Sequence, residues 1–119
     1  MAAITRDSSK FQAGAPFYGI FDWPAAYKDA DRLGKFWVVV GHKGFRPEDD
    51  PEMYERTSTI KHLKDVTTPL LIIHGELDRR APYTQSVRLV EELKKLGKTV
   101  EFYHYPDEEH GFRRPANRM

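Results

Sequence analysis

Two short motifs in the chain could carry proton chemistry. Asp78 stands four residues beyond His74, at the end of an apolar run over residues 70–73, in a loop framed by Gly75 and Pro82. His110 follows the β-rich stretch that ends at Tyr105 and sits beside Gly111. In open α/β sheets, catalytic groups gather in the loops beyond the carboxyl ends of the strands. There an imidazole takes a nucleophile's proton and returns it to a leaving group, while a carboxylate fixes the tautomer and stabilises the imidazolium. Each residue alone has an ordinary explanation. An aspartate in a Gly–Pro loop commonly forms a turn, and a lone histidine commonly lies on the surface. Their pairing at two consecutive strand ends is what points to acid–base catalysis.

For that pairing to exist, the chain between them must bring both loops to one rim. Residues 70–73 form a continuous apolar run behind Pro69, as expected for a strand covered on both faces. From Pro82 to Leu96 the spacing predicts a helix, with Val87, Leu89, Val90, Leu93 and Leu96 in one apolar stripe. Gly97 stands where a left-handed cap is wanted, and Lys94 and Lys95 suit the negative end of the helix dipole. Residues 100–105 read as the next strand, stopped by Pro106. Strand, helix and strand make a right-handed crossover in a parallel sheet.

The first half is less regular. Residues 1–6 read as the last turns of a helix, residues 11–20 as a strand running into a loop, and residues 25–34 as a short helix. Residues 36–40, Phe-Trp-Val-Val-Val, read as a strand by propensity. Residues 41–51 are loop, and residues 52–56 and 58–64 are short helical candidates. His42, His62 and His104 read as ordinary surface or strand residues. Tyr18, Trp23 and Phe45 are candidates for a pocket wall, although core packing is the usual role of aromatic rings.

Composition narrows the function classes. A chain of 119 residues makes one domain at most. With 19 basic and 18 acidic residues it has no basic field for a nucleic acid. Having no cysteine, it has no disulfide, thiol nucleophile or thiolate-bound zinc. No apolar run reaches the roughly 18 residues of a membrane span, so no membrane partner is expected. A soluble protein is expected, with the cytoplasm the favoured compartment.

The residues that match a known pattern are Thr68-Pro69-Leu70-Leu71-Ile72-Ile73-His74-Gly75 with Asp78 and Pro82, then Gln85-Ser86 and Leu93-Lys94-Lys95-Leu96-Gly97, then Tyr105-Pro106 and His110-Gly111-Phe112. Pro51-Glu52-Met53-Tyr54 and the Asp22-Trp23 step fit as well. Together they resemble the carboxyl-terminal part of the catalytic domain in the prolyl oligopeptidase family of serine peptidases, above all its acylaminoacyl- and dipeptidyl-peptidase branches. The resemblance implies an α/β class chain, a partial α/β-hydrolase fold holding the last three parallel strands with their crossover helices. It implies Asp78 as the orienting acid, His110 as the base, a peptide or small acyl substrate, and no cofactor. It also implies loop or helix at residues 36–40, against their propensity.

Departures from the pattern shape the expectation. The serines are Ser8, Ser9, Ser58 and Ser86, and none stands in the G-x-S-x-G elbow that holds the nucleophile in this family. Residues 1–119 are therefore expected to be a carboxyl-terminal fragment, cut at both ends. They would be the acid–base half of a serine hydrolase, inactive alone and completed by a missing amino-terminal half. A second reading is a non-enzymatic or split-protein module that pairs with a partner, or with a second copy, through an exposed sheet edge. A third is a metal site from His74, Asp78, Glu108, Glu109 and His110, although no ligand spacing of the H-E-x-x-H type supports it.

Overall fold

Residues 1–117 are described by the computed structural model of the protein. Along the chain run α1 (Ala2–Arg6), α2 (Trp23–Asp29), α3 (Arg32–Gly41), α4 (Pro51–Thr57), β1 (Leu70–Gly75), α5 (Tyr83–Lys95) and β2 (Val100–Tyr105), with 3-10 turns at Ser8–Lys10, Ile60–Asp65 and Pro115–Asn117. The two strands are parallel and in register from Leu70 opposite Val100 to Gly75 opposite Tyr105. The crossover expected from the sequence is present. Its helix ends as the sequence predicts, with Gly97 at φ +68° behind the two lysines.

β1 is covered on both faces, which is why it reads as an unbroken apolar run. Along β1's other edge, residues 14–18 pair in parallel through isolated bridges, Gly14 with Leu70 and Phe17 with Ile73. The Gly14 amide donates to Pro69 O and the Tyr18 amide to Ile73 O, both at 2.9 Å. Pro16 has no amide hydrogen to donate, so this extended segment contacts β1 at intervals rather than as a full ladder. It occupies the place of the third strand in the expected trio.

The core lies between the sheet and α5. Phe21, Leu63, Val66, Leu70, Ile72, Leu89, Val90 and Leu93 form one buried cluster, closed by Met1, Ile4 and Phe102 at its margin. A smaller cluster joins Val38 of α3 to Met53 and Tyr54 of α4. Each of these short helices has its own start signal. The side chain of Asp22 caps α2, Asp31 caps α3 and Asp50 caps α4, accepting from the amides of Ala25, Gly34 and Met53.

Those caps explain two corrections. Residues 36–40 are helical, not a strand: Asp31 starts the helix, and no neighbouring strand edge is there to use β propensity, which depends on its context. Residues 25–34 are not one helix, because Ala30 leaves helical geometry and Asp31 restarts it. His42 also departs from its surface reading. It is buried, its ring stacked on Tyr54 at 4.0 Å, its Nδ1 donating to Val38 O at 2.8 Å and its Nε2 meeting Thr57 Oγ1 at 2.9 Å.

Ser8 ties the amino-terminal turn to the foot of β1. Its hydroxyl oxygen accepts from the amides of Thr67 and Thr68 at 2.8 and 3.0 Å and lies 2.7 Å from the Thr68 hydroxyl. Ser8→Ala would leave the buried Thr68 amide, and the partly buried Thr67 amide, without this acceptor. It is expected to cost about 1–3 kcal/mol of stability, read as a lower urea midpoint with an unchanged slope.

Candidate active site

The loop after β1 is built from its own backbone. The Asp78 amide donates to Gly75 O at 3.2 Å, and Asp78 Oδ1 accepts from the amides of Arg80 and Ala81, each at 2.9 Å. This is the turn-forming use expected of an aspartate in such a loop, and it leaves Oδ2 to act elsewhere. The start of α3 braces the same loop: the Asp31 amide donates to Arg79 O at 2.7 Å, and Arg80 Nε lies 3.4 Å from the Asp31 carboxylate.

The loop after β2 lies directly against it. The amides of Glu76 and Leu77 donate to the carbonyls of Tyr105 and Glu108 at 2.9 and 3.0 Å. At Gly75 a Cβ would stand 2.4 Å from Glu108 O, so this backbone-to-backbone approach requires glycine. The result is the meeting anticipated from the sequence. His110 Nδ1 donates to Asp78 Oδ2 at 2.8 Å. Asp78's side chain is wholly buried, whereas that of His110 is 44% exposed.

Two effects oppose each other on the Asp78 carboxyl. Burial pushes its proton affinity up; hydrogen bonds from His74, His110 and the Ala81 amide, with the charge of His110, push it down. The second group wins, and Asp78 is held below the usual aspartate range. Because Nδ1 is the donor to Asp78, the other ring nitrogen, Nε2, is the one left for outside chemistry. Among the described residues it has no hydrogen-bond partner.

Around His110 the surface is shaped on two sides. Tyr18 lays its ring 4.5 Å from the imidazole, from a backbone at φ +38°, a left-handed geometry unusual for a bulky residue. With Ile20, Trp23, Trp37 and Val38, Tyr18 walls a cavity of about 310 Å³ that reaches His110. A second cavity of about 350 Å³ is lined by Arg79, Arg80, Arg113 and the same histidine. Of the three aromatic candidates from the sequence, Tyr18 and Trp23 line the first cavity; Phe45 does not line it and is half exposed.

Glu108 has a role that the sequence did not reveal. It is buried, and its carboxylate accepts from the amides of Arg113 at 2.8 Å and Arg114 at 3.1 Å and from Asn117 Nδ2 at 2.8 Å. Burial raises its proton affinity, but these donors and the charge of Arg114 lower it by more, leaving the group below its ordinary value. Glu108 thus secures the chain on the far side of His110. Its neighbours Asp107 and Glu109 are not fully buried, and nothing in a run of three acidic residues shows which one turns inward. Among the described residues no group of three His, Cys, Asp or Glu side chains is arranged to hold a metal ion. The carboxylate of Glu108 is directed to amides instead.

Known proteins resemble the chain in sequence and in fold. The sequence profile of the prolyl oligopeptidase family matches residues 1–119. An uncharacterised peptidase of Bacillus subtilis is 33% identical over 116 residues, covering 96% of this chain and 17% of that protein. The acylaminoacyl peptidase of Pyrococcus horikoshii superposes with a TM-score of 0.80 at 33% identity, over 92% of this chain and 17% of its own. A puromycin-hydrolysing peptidase of Mycobacterium tuberculosis gives 0.82 at 26% identity, over 95% and 17%. The chain thus spans less than a fifth of the length of each of these three relatives.

A carboxyl depressed in the folded state stabilises the fold fully above the unfolded aspartate value, and that contribution is lost as pH falls through the lower folded value. Asp78→Asn is expected to cost about 1.5–3 kcal/mol at neutral pH, the range for hydrogen bonds to a charged group. It should also flatten the acid limb of stability below the ordinary value of 3.8. Urea midpoints measured from pH 7 down to pH 2 check both. Glu108→Gln, which keeps one of the two acceptor oxygens, is expected to speed amide hydrogen exchange at one of Arg113 and Arg114 about tenfold.

Proposed function

The chain belongs to the prolyl oligopeptidase family, and from that premise we propose that it supplies the acid–base portion of a serine hydrolase acting on peptide or ester bonds. The observation that carries this reading is the 2.8 Å hydrogen bond from His110 Nδ1 to the buried Asp78 carboxylate. In the reaction, His110 Nε2 takes the proton of a serine hydroxyl as it attacks the scissile carbonyl. Asp78 holds the imidazolium that forms, and the same nitrogen then gives the proton to the leaving amine or alcohol.

The nucleophile comes from outside these 119 residues, as does the oxyanion hole. Three of the four serines have structural partners: Ser8 at Thr68, Ser58 between Tyr54 O and the Trp23 amide, and Ser86 at His74. Ser9 lies exposed in a 3-10 turn. On this reading the chain corresponds to the carboxyl-terminal part of an α/β-hydrolase catalytic domain. The aromatic and aliphatic cavity beside His110 takes an apolar side chain or acyl group next to the scissile bond. Relatives named for acylaminoacyl substrates and for puromycin are in keeping with that choice.

One observation favours pairing with a second copy as an alternative. β2 pairs with β1 on one side, and among the described residues no strand borders its outer edge, where Tyr103 is exposed. Light scattering distinguishes the two, since a stable monomer argues against edge pairing.

The test is a graft. This chain replaces the matching segment of the Pyrococcus horikoshii enzyme, and hydrolysis of an acylaminoacyl anilide is followed. Activity is expected in the graft, with a loss of about a thousandfold or more for His110→Ala. The ungrafted chain is expected to take up no fluorophosphonate label. Full activity in the His110→Ala graft, or stoichiometric labelling of the chain alone, would refute the proposal.

A further inference from the structure

A second imidazole lies behind the first. His74, the penultimate residue of β1, is completely buried and takes no part in the proton transfer proposed above. Its Nε2 is 2.9 Å from the Ala81 carbonyl oxygen, which can only accept, so this nitrogen carries the hydrogen. The same N–H faces Asp78 Oδ2 at 3.4 Å. Across the ring, the Ser86 hydroxyl lies 2.6 Å from Nδ1 and, given that tautomer, donates to it. Ser86 is itself completely buried on α5.

Two imidazoles therefore converge on one oxygen. Asp78 Oδ1 is occupied by the Arg80 and Ala81 amides, and Oδ2 meets His110 at 2.8 Å and His74 at 3.4 Å. We infer that His74 is a positioning residue for His110: locked by Ser86 and Ala81, it occupies part of Asp78 Oδ2 and so limits how tightly that carboxylate holds either a proton or the catalytic imidazole. The inference rests on the acid–base role of Asp78 and His110 and adds a second layer to it. The direction of Asp78's proton affinity agrees, since His74 is among the donors that lower it.

The other charged or titratable groups near the pair are placed differently. Arg79 and Arg80 lie on the Asp78 loop itself, Arg80 beside Asp31 of the α3 cap. Tyr18 reaches both imidazoles with its ring, 6.2 Å from His74 and 4.5 Å from His110. Tyr83 of α5 stands 5.7 Å from His74 by ring centres, and beyond it His104 of β2 pairs with Glu76 at 2.6 Å. Glu109 and Arg113 line the cavity beside His110. Among the described residues, none of these provides a further donor to Oδ2.

The experiment is an acid titration of the whole chain, following the Asp78 carboxyl carbon by NMR, with circular dichroism to confirm folding. His74→Phe keeps a ring and removes its N–H; Asp78 is expected to bind its proton about threefold more tightly, a shift of about half a pH unit. His74→Gln, whose amide can donate to Oδ2 and accept from Ser86, is expected to return most of the way. Equal shifts in the Phe and Gln variants would overturn the inference, because burial alone would then explain them. No shift in His74→Phe would also overturn it. Should that variant fail to fold, Ser86→Ala replaces it: an upward shift supports the inference and an unmoved titration defeats it. His110→Phe, which keeps a ring and removes the donor to Oδ2, separates the two claims. A shift there without one in His74→Phe leaves the acid–base pair standing and removes only the inference, whereas no shift in His110→Phe removes the pair itself.

Discussion

Taking a carboxylate out of water costs several kcal/mol unless hydrogen bonds and charge replace the lost hydration. The side chain of Asp78 is entirely out of water. Four donors replace its solvent: two amides of its own loop on Oδ1, and two imidazoles on Oδ2. The donors come from three places, the loop after β1, His74 near the end of β1 and the loop after β2. The requirement to satisfy one buried charge therefore couples the ends of both strands. It also explains why its proton affinity falls although burial alone would raise it.

That coupling needs close backbone approach and a firm far side. Gly75 allows the first, since a side chain there would collide with Glu108 O. The Glu108 carboxylate provides the second, accepting two amides and the Asn117 side chain beyond His110. Glu108 thus serves twice: its carbonyl takes the Leu77 amide, and its side chain gathers the segment that follows the histidine. The loop that carries His110 is fixed before and behind, while the imidazole itself stays half open. That arrangement suits the acid–base role proposed for His110.

The strand–helix–strand unit was legible because several independent local signals agree there. An apolar run, an amphipathic spacing, a glycine cap and a closing proline all specify one crossover, and such consistency is what makes a segment readable. Asp78 and His110 were legible for a related reason: each lies just past a strand end whose position those signals define. Residues 36–40 misled because their side chains favour extended structure, while the deciding residue, the Asp31 cap, lies outside the run. His42 misled because what buries it, Tyr54 and Thr57, arrives from α4 through a fold that no short-range pattern encodes. His74, Ser86 and Glu108 belong to the same category. Their functions depend on where their hydrogens point, and sequence spacing carries no record of that.

Tyr18 adds a constraint of another kind. A bulky residue at φ +38° costs roughly 1–3 kcal/mol against ordinary backbone, and such geometry persists only where the surroundings enforce it. Here the preceding segment is held by the Tyr18 amide on Ile73 O, and the ring is placed against His110 at one end of the aromatic cavity. The strain therefore sits where the extended segment stops following β1 and turns its side chain over the site. The segment that stands in for the third strand thus has two tasks, covering the edge of β1 and forming one wall beside the His110 imidazole. A fuller ladder, with its partner running straight on past Ile73, would satisfy more backbone groups and leave that wall unbuilt.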